Sequence, residues 1–441
     1  MSHDGFAAGP AKCDEIMSAR RNGKTIVYLI LAVFAIGIAA LVFFDLETPL
    51  RVAAWLAFGL AAGYAVTALF AVIVFARGRC AAKWTSKPKQ SDDGGAFEPS
   101  VSVLKPLCGL DFELYENLRS YCQQDYPRFE VLFGVRDSQD PAIAIVERLI
   151  EEFPDVDLKL VVNPRLIGTN YKVSNVANLW QAASADIAVI SDSDVRVGPD
   201  YLSRVVEDFA APGVGAVTCL YTASAAPNLA SRLGALYLAE WYMPSVMVHV
   251  RLQALEGCFG QTMAFSREAL DAIGGFEPIA SQLADDFVLG YRIREQGFKI
   301  ALSSYLVDNV VDEASLRSLF LHELRWARTI FSLNPVGYFF SFVTHTIAVS
   351  LVASLVLLWL GTGAAVAAIP VVVGLGLRLS LHVVAGRWLS PHMRIPSWLV
   401  PLRDFLNLAI WALGLVGRSV QWRGTEFVLL PDGNLALVEN A

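Results

Sequence analysis

Charge is scarce in this sequence. Only 17% of its 441 residues are Asp, Glu, Lys or Arg, and 55% are hydrophobic. Soluble domains run nearer a quarter charged, so a wholly soluble enzyme is disfavoured from the start. The mean hydropathy of +0.47 points to an integral membrane protein. A long basic tract is also missing, and the net charge is −7, which argues against a nucleic-acid binder. The six cysteines (Cys13, Cys80, Cys108, Cys122, Cys219 and Cys258) form no CxxC pair and no zinc-ligand spacing. They read as reduced, packed thiols of a cytosolic domain.

Long apolar runs are present, and they lie at the two ends. Residues 26–44 and 52–75 are each long enough to cross a hydrocarbon core. The first run is long, is followed at once by the second and lacks a small-residue cleavage site, so a signal peptide is the poorer reading. Arg20, Arg21 and Lys24 precede the pair, while Arg77, Arg79, Lys83, Lys87 and Lys89 follow it. The short connection carries Asp45 and Glu47 against a single Arg51. The positive-inside rule then places both flanks in the cytoplasm. Further apolar runs occupy 336–360, 362–384 and 405–417, the last preceded by Arg403 and Asp404. This third run spans, re-enters or lies at the interface.

Between residues 100 and 301 the texture changes. Buried-strand patterns at 101–104, 131–135, 158–162 and Ile187–Ser191 alternate with helical patterns at 113–123, 141–153 and 172–184. That alternation predicts an α/β fold with a mostly parallel sheet, whose ligands sit at the carboxyl ends of the strands. The expected layout is a cytosolic tail (1–25), two transmembrane helices (26–76), a linker (77–99), a catalytic domain (100–310), an interfacial helix (311–335), two or three transmembrane or re-entrant segments (336–420) and a C-terminal tail (421–441).

Several acids fall where such a site would be. Asp192-Ser193-Asp194 follows the strand Ile187–Ser191 directly. Two carboxylates one residue apart can hold a hard divalent cation together with phosphate oxygens, although Asp and Ser also simply form turns. Asp137 follows another strand, and Asp140 beside it reads better as a helix N-cap. Asp285-Asp286 opens a helical pattern, either as dipole partners or as a general base whose neighbours raise its pKa. His322, Arg325 and Trp326 share one face of a helix over 315–333. That face is an interfacial anchor or a cation for a diphosphate. Lys172 is a weaker candidate for phosphate contact, and the apolar stretch 236–250, with Trp241 and Tyr242, either lines a lipid entry or is core.

Taken in order, Ser102-Val103-Leu104-Lys105-Pro106-Leu107-Cys108-Gly109-Leu110-Asp111, Asp125-Tyr126-Pro127, Asp137 to Pro141, Asp192 to Val197, Gly274-Gly275-Phe276, Asp285-Asp286 and Arg325-Trp326 resemble the ceramide glucosyltransferase family, glycosyltransferase family 21. The resemblance covers about 101–326. It implies a GT-A nucleotide-sugar-binding domain flanked by transmembrane helices and an inverting transfer from UDP-glucose to ceramide at the cytoplasmic face, in a bacterial inner membrane. By resemblance, Asp137 contacts the nucleotide with Lys172 nearby, Asp192 and Asp194 form a DxD for Mg²⁺ or Mn²⁺, Asp286 is the base, and Arg325 and Trp326 lie near the diphosphate and acceptor. His322 stands where the family has Gln or Arg, and no acceptor-site histidine aligns with Trp241-Tyr242-Met243-Pro244. A related branch with UDP-N-acetylglucosamine and a hopanoid lipid is the nearer alternative. A transporter with a regulatory domain would need spans throughout the chain and ionisable residues at mid-membrane. Here the spans sit at the ends and the acids in the middle.

Overall fold

The computed structural model describes residues 47–85, 97–390 and 394–438. The expected first span, its basic flank Arg20, Arg21 and Lys24, and Lys87, Lys89 and Cys13 lie outside the described residues. The described part opens on α1 (Glu47–Thr85), a 39-residue helix. The described residues divide into two compact units, one drawn from 67–319 and 380–397 and the other from 47–66, 320–379 and 398–438.

The first unit is built on an eight-stranded sheet of β1 (Val101–Pro106), β2 (Phe129–Val135), β3 (Asp157–Val162), β4 (Ile187–Ser191), β5 (Val195–Arg196), β6 (Val214–Ala225), β7 (Thr262–Ser266) and β8 (Lys299–Val311). Their spatial order is β3-β2-β1-β4-β7-β6-β8-β5. Pairings β1–β2, β2–β3, β1–β4 and β6–β8 are parallel. Antiparallel β7 bridges β4 and β6, and β5 runs antiparallel to β8. The sheet is thus largely parallel, with its order reversing at β1/β4. A crevice opens at such a switch point beyond the carboxyl ends of the strands. Every residue of β4 is buried, as a central strand covered on both faces should be.

Helices α2 (Leu114–Cys122), α3 (Ala142–Glu152) and α4 (Tyr171–Ala182) follow the first three strands. Ala142, Val146 and Leu149 recur at helical spacing and give α3 its buried face. Asn170 caps α4, its side chain accepting from Val173 N at 3.1 Å. Close packing fixes α4 against β2: a Cβ at Gly134 would lie 2.2 Å from Asn175 Oδ1, and Asn175 Nδ2 donates to Gly134 O at 2.8 Å. The rest of this unit's helices are α5 (Tyr201–Val206), α6 (Leu229–Tyr237), α7 (Met243–Leu252), α8 (Arg267–Ala272) and α9 (Asp285–Glu295). Between α6 and α7 a π-helical turn, Leu238–Tyr242, carries buried Glu240, which pairs with His382. Of the described cysteines, Cys122, Cys219 and Cys258 are buried thiols and Cys108 is exposed.

The second unit contains α10 (Leu316–Leu333), α11 (Pro335–Phe340), α12 (Thr346–Trp359), α13 (Ala364–Ala367), α14 (Ile369–Trp388) and α15 (Leu399–Gly414), with α10 and α14 extending beyond it. Among the described residues two helical stretches are long and apolar enough to cross a membrane, Glu47–Gly78 and Ala364–Trp388. The run at 336–360 is not one straight span: Pro335–Thr344 and Thr346–Trp359 meet at 72°. Asn334 caps the first piece, and Asp404 receives the free N–H groups of Ile347 and Ala348 that open the second. The helix α15 starts earlier than the apolar run at 405–417 suggests, because Arg403 and Asp404 are buried within it. Arg403 pairs with Glu323 of α10. At 16 residues α15 is shorter than the roughly 20 a span needs. Residues 421–437 are not a plain tail. They join Ser419 and Val420 in an antiparallel sheet of β9 (Ser419–Trp422), β10 (Thr425–Leu429) and β11 (Leu435–Leu437), closed over Val420, Phe427, Leu429 and Leu435.

At the amino ends of β1, β2 and β4 one buried carboxylate ties the sheet together. Glu130 accepts from Ser102 Oγ at 2.5 Å, Ser184 N at 2.9 Å, Ser184 Oγ at 3.0 Å and Lys159 Nζ at 2.5 Å. Glu130→Ala strands these donors and should destabilise the domain by about 2 kcal/mol. Lys159→Met, which leaves the serine bonds in place, should cost less than half of that. Denaturant unfolding of the two variants in detergent checks the order, and equal losses would contradict it.

Candidate active site

One residue beyond the Leu104↔Ile190 pairing, Lys105 of β1 lies level with the end of β4. There the chain turns through Asp192, Ser193 and Asp194 into β5. The turn is held from three sides. Lys105 Nζ donates to Asp192 O at 2.5 Å. Asp192 N donates to Gln261 O at 3.3 Å, and Val310 N to Asp194 O at 2.8 Å. Asn309 Nδ2 reaches Asp194 Oδ2 at 3.3 Å, while Ser193 Oγ donates to Asp111 Oδ2 at 2.5 Å. Asp194 Oδ1 is buried with no hydrogen-bond partner.

A second wall is the loop before α4. Asn170 N donates to Ala280 O at 2.9 Å, and its side chain donates to Gln282 O at 2.8 Å. Thr169 N meets Ser281 Oγ at 3.2 Å. The approach is so close that a Cβ at Gly168 would lie 2.3 Å from Ala280 O, which explains the glycine. This docking brings Lys172 between the two acidic segments. Its Nζ is 2.6 Å from Asp192 Oδ1 and 3.7 Å from Asp285 Oδ2. Asp286 follows in the first turn of α9. Its Oδ1 accepts from Phe287 N at 2.8 Å, and its Oδ2 lies so near Gly260 that a Cβ there would stand 2.9 Å away.

The charges perturb one another as buried groups must. Burial, then Asp285, pushes the Asp286 carboxyl up to about 7 against the opposing pull of Lys172. Burial, then Asp192 and Asp111, lifts Asp194 to about 7, with Lys105 opposing. Burial brings the Lys105 ammonium down to about 7 despite Asp192, Asp194 and Asp111 nearby. For Lys172 burial works the same way, but Asp192 and Asp285 outweigh it and hold the ammonium above its usual range.

Such a cluster is short of positive charge. Among the described residues no three His, Cys, Asp or Glu side chains converge as a closed metal cage. Mg²⁺ and Mn²⁺ on nucleotides ask for less, often one or two carboxylates with phosphate oxygens filling the rest. The unpartnered Asp194 oxygen, on a carboxyl raised by burial and by Asp192 and Asp111, fits that donor set.

The structure brings Lys172, Asp192, Asp194 and Asp286 to one strand-end region. Asp137 sits exposed beyond β2, its Oδ1 accepting from Gln139 N at 2.9 Å. Asp140 holds the loop after β1 through Gly109 N and also accepts from Ala142 N at the start of α3, the structural role expected of it. His322, Arg325 and Trp326 lie on α10 in the other unit. The His322 and Trp326 rings are 4.4 Å apart, and Arg325 lies over the Trp422 ring at 5.4 Å. Lys105 and Asp111 have no role assigned from sequence, and Asp285 enters there only beside Asp286, as a dipole partner or a neighbour that raises its pKa. Lys105 carried a signal nonetheless: a lysine inside an otherwise apolar buried strand needs partners.

Asp194→Asn should raise the melting temperature of the cation-free protein at pH 8 by several degrees. The sign follows from a folded-state pKa raised above the unfolded value: that group's stabilising contribution is present below about pH 4 and lost as pH rises through 7. The gain in the variant should therefore vanish towards pH 4. Added Mn²⁺ should raise the melting temperature of the parent and not of the variant. Thermal unfolding with and without Mn²⁺ checks both, and equal Mn²⁺ shifts would remove Asp194 from the metal.

Comparison with known proteins gives this geometry a family. The profile of glycosyl transferase family 21 matches residues 64–435, most of the chain. Ceramide glucosyltransferase 1 of Caenorhabditis elegans is 26% identical over 364 residues, 78% of this chain and 74% of that protein. Ceramide glucosyltransferase 3 of the same animal is 27% identical over 246 residues, 54% of this chain and 52% of that one. A ceramide glucosyltransferase of Komagataella phaffii is 40% identical over 111 residues, 24% of this chain and 22% of that protein. Among solved structures, a mannosyltransferase from Pyrobaculum calidifontis is 21% identical with a TM-score of 0.44, covering 76% of this chain and 100% of its own. With a family match running from the first described helix through the carboxylate cluster to the C-terminal sheet, the chain belongs to glycosyl transferase family 21 and is a membrane-embedded, UDP-sugar-dependent glycosyltransferase.

Proposed function

We propose that the enzyme transfers glucose from UDP-glucose to ceramide with inversion, giving β-glucosylceramide. The observation that carries this reading is a buried carboxyl, Asp286, raised to about 7 beside the Lys172–Asp192 ion pair. A base poised near working pH is what proton removal from a hydroxyl requires. The ceramide glucosyltransferases among its relatives support the choice of acceptor.

In this mechanism the primary hydroxyl oxygen of the lipid attacks the anomeric carbon of the sugar. The bond from that carbon to the diphosphate oxygen breaks as its electron pair leaves with UDP. Asp286 takes the hydroxyl proton, an effect worth roughly 10²–10⁴ in rate. Asp192 and Asp194 would hold Mg²⁺ or Mn²⁺, which when bound would supply a Lewis acid for the diphosphate. Lys172 orients Asp192 and places a fixed positive charge between the two acidic segments. Asp137 receives the nucleotide at the end of β2. Arg325 of α10 stabilises the departing diphosphate, with Trp326 at the acceptor and His322 in the position that the family fills with Gln or Arg. The cytoplasmic face of a bacterial inner membrane is the proposed location.

The test is transfer by purified enzyme in lipid micelles with Mg²⁺. The donors are UDP-glucose, UDP-galactose and UDP-N-acetylglucosamine, and the acceptors are ceramide and a hopanoid polyol. Glucosylceramide from the parent, with at least a 10²-fold loss in Asp286→Asn, is the expected result. Because the base works deprotonated, kcat/KM should fall as pH drops below about 7. Transfer only to the hopanoid, or only from another donor, overturns the substrates. Full activity in Asp286→Asn, or a flat profile between about pH 5.5 and 8.5, overturns the base.

A further inference from the structure

Three side chains of α10 are gripped by the segment that follows α14. Glu323, buried, pairs with buried Arg403 of α15. Arg328 donates to Val416 O at 3.2 Å and to Ser419 O. Between them Arg325 lies over the ring of Trp422, its guanidinium carbon 5.4 Å from the centroid, within the reach of a cation–π contact.

The placing of Trp422 is itself over-determined. It pairs with Thr425 across a hairpin whose two linking residues, Arg423 (φ 48°) and Gly424 (φ 81°), both have positive φ. That is the backbone of a two-residue type I′ turn, whose twist matches its strands and sets their register. A non-glycine residue at φ 48° is disfavoured and persists only where its surroundings demand it. The other end of β9 is pinned by Arg328. Gly417 (φ 77°) admits that contact, since a Cβ there would lie 2.7 Å from Arg328 Nη2. The strand that carries Trp422 is therefore tied at one end to the helix that carries Arg325 and held at the other by its own turn.

We infer that Trp422 is a positioning residue for Arg325, and that the C-terminal hairpin serves to hold that guanidinium in the orientation the diphosphate needs. The inference rests on the role proposed above for Arg325. Arginine has many rotamers, and freezing one in advance removes an ordering cost from the transition state.

The experiment compares Trp422→Leu, Trp422→Phe, Arg325→Ala and the double variant Trp422→Leu/Arg325→Ala in the full-length enzyme, reading kcat, the KM for UDP-glucose and the melting temperature. Trp422→Leu should lower kcat about 30-fold while KM stays within about threefold. Trp422→Phe, which keeps a ring, should stay within about threefold of the parent in kcat. The double variant should be no slower than Arg325→Ala, as expected of residues acting as a unit. Full kcat in Trp422→Leu beside a crippled Arg325→Ala overturns the inference and leaves the role of Arg325 standing. Equal kcat losses in the Leu and Phe variants with a falling melting temperature reduce Trp422 to packing, which also overturns it. Full activity in Arg325→Ala removes the role of Arg325 and the inference with it.

Discussion

Lys172 and Asp192 meet at 2.6 Å in a largely desolvated place, and most of the catalytic domain's layout can be read as what that contact requires. Lys172 reaches the end of β4 only because the loop before α4 lies against residues 280–282, backbone on backbone, at a glycine. The same docking sets the start of α9, and with it Asp285 and Asp286. Asp192 in turn faces the lysine because Lys105 holds its carbonyl from beneath. Removing one partner from such a pair leaves an uncompensated charge in low dielectric, which costs far more than the pair contributes. The cluster therefore stands or falls as a set.

The two edges of the parallel strands divide the labour. At their amino ends Glu130 is satisfied by four donors and knits β1, β2 and the approach to β4. At their carboxyl ends acids are crowded, two of them raised to about 7, and one oxygen of Asp194 has no partner. Satisfied buried carboxylates make structure. Carboxylates kept short of partners keep free energy in reserve for a ligand that completes them.

The membrane-associated unit uses buried charge differently. Glu323 with Arg403, and Asp404 on the opening turn of α12, join helices through buried polar contacts. Apolar contacts alone are non-directional in such a setting, whereas an ion pair or a capped helix end selects one register. Glu323 lies on α10, so its pair with Arg403 ties the helix that bears the Arg-Trp motif to α15.

Sequence by itself determined the class of this protein. The α/β alternation, the apolar runs at the ends and the strand-end acids all depend on local periodicity and on polar residues appearing where apolar ones are due. Strand Ile187–Ser191 and the helix at 315–333 were legible for that reason. Tertiary structure alone decided the rest. It inserted antiparallel β7 into the sheet, because strand pairing is a long-range choice that no local pattern encodes. The apolar run at 336–360 broke at 72° because Asp404, far along the chain, offered its second piece a cap. The sheet that includes residues 421–437 was not legible, because short strands carry too few residues to show their period. Lys105 joined the site only when folding brought the Asp192 carbonyl to its ammonium. Periodicity is a property of neighbours in the chain, whereas desolvation and ion pairing belong to neighbours in space.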